Sequence, residues 1–149
     1  MGYHADVYKG FADLVIAALP TGASGNPMPT INALTASEAT LNQFARGVVI
    51  LRESIDYEPH PEINPRTAVE DQVETWTWAL YVTGGGGKPR PADRGAEVDL
   101  YLELIKTALN AQRPTADCGP LHLVNEDFEG REGATVTYTQ RWTHRRLAG

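Results

Sequence analysis

The sequence has 149 residues, with 42% hydrophobic and 21% charged content and a formal net charge of −6. That length predicts one domain with a core that needs no disulfide or metal, and the composition argues against disordered or collagen-like chains. The acidic balance argues against a protein that grips nucleic acid through basic patches, and the single cysteine, Cys118, rules out an internal disulfide.

No apolar run approaches the ~20 residues that span a bilayer, and no basic-then-apolar leader opens the sequence. Neither membrane insertion nor secretion by a cleaved signal is expected. A lone cysteine fits a reducing compartment.

Tyr3 to Leu19 reads as a helix. Val7, Phe11, Leu14, Val15 and Ala18 fall on one stripe, with Asp6, Lys9 and Asp13 facing away. Asp6 and Lys9, one turn apart, are expected to pair weakly. Pro20, Gly22 and Gly25 stop this helix, and Thr21 to Thr30 reads as a loop. Residues 31 to 45 admit two readings. Thr35 followed by Glu38 has the form of a capping box before a short helical face of Leu41, Phe44 and Ala45, while a strand near Thr30 to Leu34 is the alternative.

Gly47 to Leu51 is a β-branched apolar run, the pattern of a buried strand. Tyr57 to Pro65 carries three prolines and is expected to be an extended surface connection, neither helix nor central strand. From Gln72 to Thr83 the chain alternates. Glu74, Trp76, Trp78, Leu80 and Val82 share one face; Val73, Thr75, Thr77, Ala79 and Tyr81 share the other. Two tryptophans on one pleated face call for a large apolar partner, since each aromatic buries ~150–250 Å².

Four glycines, Gly84 to Gly87, lead into Lys88, Pro89, Arg90 and Pro91, which reads as a flexible loop with a basic tip. Lys88 is followed by Pro89 rather than by Ser or Thr, so the phosphate-binding pattern is incomplete. Asp93 is expected to cap a helix running to about Asn110. Its buried stripe is Val98, Tyr101, Leu102, Ile105, Ala108 and Leu109; its wet side is Asp99, Glu103 and Lys106. Leu121 to Val124 reads as a short strand, and Asn125 to Gly133 as an acidic, glycine-bearing turn. Ala134 to His144 alternates again, with Ala134, Val136, Tyr138, Gln140, Trp142 and His144 on one face, before a frayed tail from Arg145. The two long alternating runs are expected to be central strands of one sheet. The fold class is therefore α+β: a single domain, residues 1–149, with a mixed or antiparallel sheet of about four to five strands and two main helices packed on it.

The chemistry-bearing residues assemble into nothing specific. His4, His60, His122 and His144 lack the close spacing of a zinc site, and Cys118 has no second cysteine; surface or strand-edge histidines are the expectation. Glu70, Asp71 and Glu74 are expected to be solvated strand-end charges rather than a catalytic set. Ser24, Ser37 and Ser54 sit in no nucleophile elbow. Nothing in these constellations asks for catalysis, a cofactor or a metal.

From Gly47 onward the order of signals is GVVILRES, a proline-rich connection, VEDQVETWTWALYV, a glycine loop, EVDLYLELIKTALN, then LHLVNEDFEGREGATVTYTQRW. This order resembles tail-terminator-like proteins of tailed bacteriophages, particularly the Mu-type minor tail proteins. The resemblance covers roughly the last two-thirds of the chain and, with the opening helix, arguably all of it. It implies a non-enzymatic virion subunit that forms a hexameric ring at the head-proximal end of the tail tube, stops tube polymerisation and presents a joining surface to the neck. The implied partners are other copies of itself, the tube and sheath proteins and a head-completion protein. Double-stranded DNA would pass through the lumen without sequence-specific binding. The implied location is the virion tail, assembled in the host cytoplasm. Two stretches are the expected partner or lumen contacts: the loop with Gly84, Gly85, Lys88, Arg90 and Arg94, and the turn with Glu126, Asp127, Glu129 and Arg131. Both are charged, and both are expected to be long and mobile. A head-completion or neck connector protein is the alternative within this class. A small-ligand-binding or enzymatic domain with its site on the open face of the sheet is the alternative outside it.

Overall fold

The computed structural model describes residues 3–20, 30–33, 47–59, 72–85, 90–133 and 135–147. Helix α1 spans Tyr3–Ala18 and helix α2 spans Pro91–Leu109. Five strands, β1 (Thr30–Ala33), β2 (Gly47–Pro59), β3 (Gln72–Gly84), β4 (His122–Glu132) and β5 (Thr135–Leu147), form one sheet in the order β1-β2-β3-β5-β4. β1 runs parallel to β2, and the other pairs are antiparallel. The domain is α+β, with both helices on one face of the sheet. Neither described helix is long and apolar enough to cross a membrane.

The two alternating runs pair directly, with Trp78 opposite Trp142, Trp76 opposite His144 and Leu80 opposite Gln140. Their aromatic faces meet the helices. Val7, Phe11 and Val15 of α1, and Val98, Leu102, Ile105 and Leu109 of α2, are buried against Trp76, Trp78, Leu80, Val82 and Trp142. Phe11 stacks on Trp78 with ring centroids 4.1 Å apart and planes 7° from parallel. Such a pair adds about 0.5–1.5 kcal/mol beyond the area it buries. On the opposite face a smaller cluster forms from Val49, Leu51 and Ala79, with Tyr81 against it.

Several sequence expectations need correction. β2 continues eight residues past Leu51 to Pro59, so Tyr57 to Pro59 is strand rather than surface connection. Pro59 is tolerated there because β1 pairs only with Val48 to Leu51, which leaves that end of β2 with β3 as its sole described neighbour; the other two prolines lie outside the described residues. Of the two readings of residues 31–45, a strand is present at Thr30–Ala33; the capping box from Thr35 lies outside the described residues. α2 begins at Pro91, with Arg90 as its N-cap residue, so Asp93 lies inside the first turn instead of capping it. Proline at the first helical position gives up only an N–H that has no helical partner anyway. Lys9 pairs with Asp13 at 2.7 Å, not with Asp6. β5 continues to Leu147, and Arg146 is buried rather than frayed.

α1 approaches the turn after α2 so closely that it requires glycine. A Cβ on Gly10 would stand 1.9 Å from the Pro114 carbonyl oxygen. Exchange to alanine in a helix normally stabilises by about 1 kcal/mol. Here Gly10→Ala is expected to destabilise by about 1–3 kcal/mol, because backbone must shift to admit the methyl group. A urea midpoint unchanged or raised relative to the parent protein would show that this contact is looser than described.

Candidate functional site

Two features of the sheet stand out: an enclosed polar cluster at one end, and an exposed outer strand. The cluster forms where β3 begins and β5 ends. Glu74 is fully buried. Its carboxylate accepts a hydrogen bond from Trp76 Nε1 at 3.1 Å, and His4 Nε2 of α1 lies 3.3 Å from its other oxygen. Arg146, opposite Glu74 in the ladder, is 6% exposed. Its Nη1 lies 3.9 Å from Glu74, and its Nε donates to Asp117 at 2.8 Å. The Arg146 hydrogen bond, then that of Thr115, holds the Asp117 carboxyl below its ordinary range. Cys118, buried next to Asp117, has its Sγ 3.2 Å from the Thr115 hydroxyl.

His144 is 1% exposed and lies parallel to the rings of Trp76 and Trp78, with centroids 5.8 and 6.3 Å away. Burial pushes its pKa down to about 4, against weaker upward pulls from the Arg145 backbone and the Glu74 charge. The histidine and Glu74 are therefore core residues, not the surface and strand-end groups expected from sequence. Burial of the ring among the strand and helix side chains is the main cause of the displaced pKa.

This depression has a defined pH consequence. The unfolded chain takes up a proton on this residue below about pH 6.5, whereas the folded chain resists until about pH 4. Stability from His144 is complete above the upper value, falls through that window, and falls no further below it. The predicted loss is about 3 kcal/mol, since one unit corresponds to about 1.4 kcal/mol. Urea unfolding across the window should show this slope in the parent protein and a flatter one in His144→Phe. Equal slopes would contradict it.

A cleft of about 500 Å³ lies near this end, walled in part by Glu58, Thr75, His122, Thr143 and Arg145. Gly119, Pro120 and His144 complete its wall; Thr75, Thr143 and Arg145 alternate along their strands with Trp76 and His144, so those three residues belong to the face away from the helices. Among the described residues, no three His, Cys, Asp or Glu side chains converge to hold a metal ion.

The second feature is β4. The sequence reads Asn125 to Gly133 as a turn, but the strand is continuous from His122 to Glu132, with a turn at Gly133. Gly133 takes φ 59°, the left-handed conformation glycine adopts without strain. β4 is the outer strand beside β5, and its side chains from His122 to Glu129 are all exposed. Leu123 is 36% exposed, Val124 55% and Phe128 58%. Two bulges interrupt the ladder, between Leu123 and Asn125 and between Phe128 and Gly130.

The residues expected to meet partners separate into two groups. Gly84 is the last residue of β3 and is buried; a Cβ there would stand 3.1 Å from Tyr101 Cε2 and 3.2 Å from Val98 Cγ2. Gly85, buried beside it, takes φ 89°. These glycines let the strand end pass beneath α2, so they form no flexible surface loop. Lys88 lies outside the described residues. Arg90 is exposed just before α2, and Arg94 belongs to the helix. The remaining four lie on β4. Glu126 accepts from Gln140 Nε2 at 2.8 Å and is 3.4 Å from Lys106 of α2. Asp127 is 3.5 Å from Arg141, which also reaches Glu53 of β2 at 2.9 Å. Glu129 is the extra residue of the second bulge, and Arg131 faces Val136. Since Val136 in turn faces Gly84, the two expected stretches do lie at the same end of the sheet. The apolar residues of this surface, Leu123, Val124 and Phe128, are missing from the sequence expectation. Phe128 was read inside a supposed turn, and Leu123 and Val124 as part of a short strand without a partner role.

No family model matches the chain, and no curated protein matches it. The class therefore rests on the fold and the surface: an α+β domain with helices on one face and a long, partly apolar outer strand.

Proposed function

We propose that the chain is a structural assembly subunit, a tail-terminator-like protein that closes into a hexameric ring on the head-proximal end of a phage tail tube and joins the tail to the neck. The observation that carries this reading is the β4 edge. Its exposed residues include Leu123, Val124 and Phe128, and among the described residues no strand pairs with its outer side. Exposed apolar side chains clustered on one edge favour contact with another protein. The order of sequence signals from Gly47 onward, which resembles that of tail terminators, supplies the particular role. A closed ring requires two different patches on each subunit. The net charge of −6 suits a lumen through which DNA slides without being held. Sheath and neck proteins are the further partners of this reading.

The test is to add purified protein to tail tubes growing in vitro and to measure tube length by electron microscopy. Growth should stop, with a ring-shaped density at one tube end. Unchanged tube lengths and bare ends would overturn the reading.

A further inference from the structure

The outer strand of a free-standing sheet is normally guarded, because its unpaired N–H and C=O groups template another strand. β4 is eleven residues long and contains neither lysine nor proline. Its guards are the two bulges, and these leave Asn125, Glu126, Asp127 and Phe128 in regular register with Arg141, Gln140, Thr139 and Tyr138. That window is bracketed on the helix side. Phe128 leans edge-on against Tyr138 at one end, with centroids 5.5 Å apart. At the other end Leu123 borders a groove of about 420 Å³ between β4 and α2, with Trp142 and Lys106 also in its wall. Glu126 and Asp127 lie between them, and Glu129 follows Phe128.

We propose that β4 is the docking site for an extended segment of a partner subunit, rich in basic and apolar residues, which adds to the sheet as a further strand. Main-chain hydrogen bonds to the Asn125–Phe128 window supply the pairing. An apolar side chain fills the groove beside Leu123, a second covers Phe128, and a basic side chain between them faces Glu126. Cross-strand neighbours of opposite charge and paired apolar residues are the contacts that stabilise such an addition. Charge complementarity selects a basic partner over a second copy of this chain, whose corresponding edge is equally acidic. The inference names the partner chemistry of the assembly surface proposed above and rests on that reading.

Three synthetic peptides test it on the full chain: one of alternating valine and lysine, its valine–glutamate counterpart, and the lysine peptide N-methylated on alternate amides. NMR titration maps the contacts, and fluorescence anisotropy gives the affinity. The lysine peptide should shift β4 amides, bind roughly tenfold more tightly than the glutamate peptide and weaken as salt is raised. N-methylation should abolish binding, as should Val124→Lys, which places a guard on an exposed position and should leave the melting temperature unchanged. Phe128→Ala should weaken binding without abolishing it. Equal affinity for the lysine and glutamate peptides, indifference to N-methylation, or contacts mapping away from β4 would overturn the proposal. So would self-association of the protein alone that Val124→Lys abolishes, since the occupant would then be a second copy. Any of these results alongside normal arrest of tube growth removes the strand addition and leaves the terminator reading standing. Failure to arrest growth removes the terminator reading.

Discussion

Glu74→Ala is expected to destabilise the protein by about 3–5 kcal/mol, the usual consequence of removing one partner from a buried charge pair. Glu74 is fully buried and receives the Trp76 indole N–H, with His4 and Arg146 beside it. Without the carboxylate, Arg146 keeps Asp117 but loses the anion opposite it in the ladder. The Trp76 donor would be left inside the core unpaired, which alone costs about 1–3 kcal/mol. Glu74→Gln should cost less, because an amide oxygen can still accept from Trp76. Urea denaturation measures both. A loss below about 1 kcal/mol for the alanine variant would mean that the cluster is solvated and that the charges are not coupled to folding.

Trp78→Ala should cost a similar amount, about 3–5 kcal/mol, through the cavity it leaves. Its ring is fully buried, stacked on Phe11, met edge-on by Tyr8 at 5.3 Å and placed opposite Trp142. It is where α1 touches the centre of the sheet. For a domain whose total stability is typically about 5–15 kcal/mol, this approaches the threshold of folding. Trp78→Phe should be far milder. The indole Nε1 has no hydrogen-bond partner among the described residues, so phenylalanine forfeits area but none of the described bonds. If the two variants unfold at the same urea concentration, the ring's area is not what holds α1 in place.

The fold was legible where one side of an element is dry and the other wet. β3 and β5 show this alternation, and α2 shows it at helical spacing; the residues that face the core are largely those the pattern selects. β4 was legible only at its start, in the short strand read to Val124; the rest was hidden for the opposite reason. As an outer strand it is wet on both sides, so its sequence lacks alternation, and Asn, Asp and Gly are poor strand formers. It is strand because β5 pairs with it and two bulges absorb the misfit. The second half of β2 was hidden likewise: beyond Leu51 it loses its β1 neighbour and turns polar.

Part of the polar cluster was within reach of the same reasoning. Alternation places Glu74 on the face of Trp76 and Trp78, and His144 on the face of Trp142. Treating both as solvated set residue type above position. Their burial follows from neighbours distant in sequence: His4 of α1 and Arg146 of β5 meet Glu74, and Trp76 and Trp78 of β3 stack on His144. The candidate surface was half legible. Its acidic residues and Arg131 were read in a turn and lie on β4, whereas Gly84 and Gly85 were taken for a mobile loop although both are buried and Gly84 packs against α2.

Electron microscopy of particles from a host in which this gene is disrupted tests the central claim most directly. The account predicts filled heads detached from tails of irregular, excessive length, with normal particles restored when purified protein is added during assembly. Infectious particles with tails of normal length in the disrupted host would contradict it.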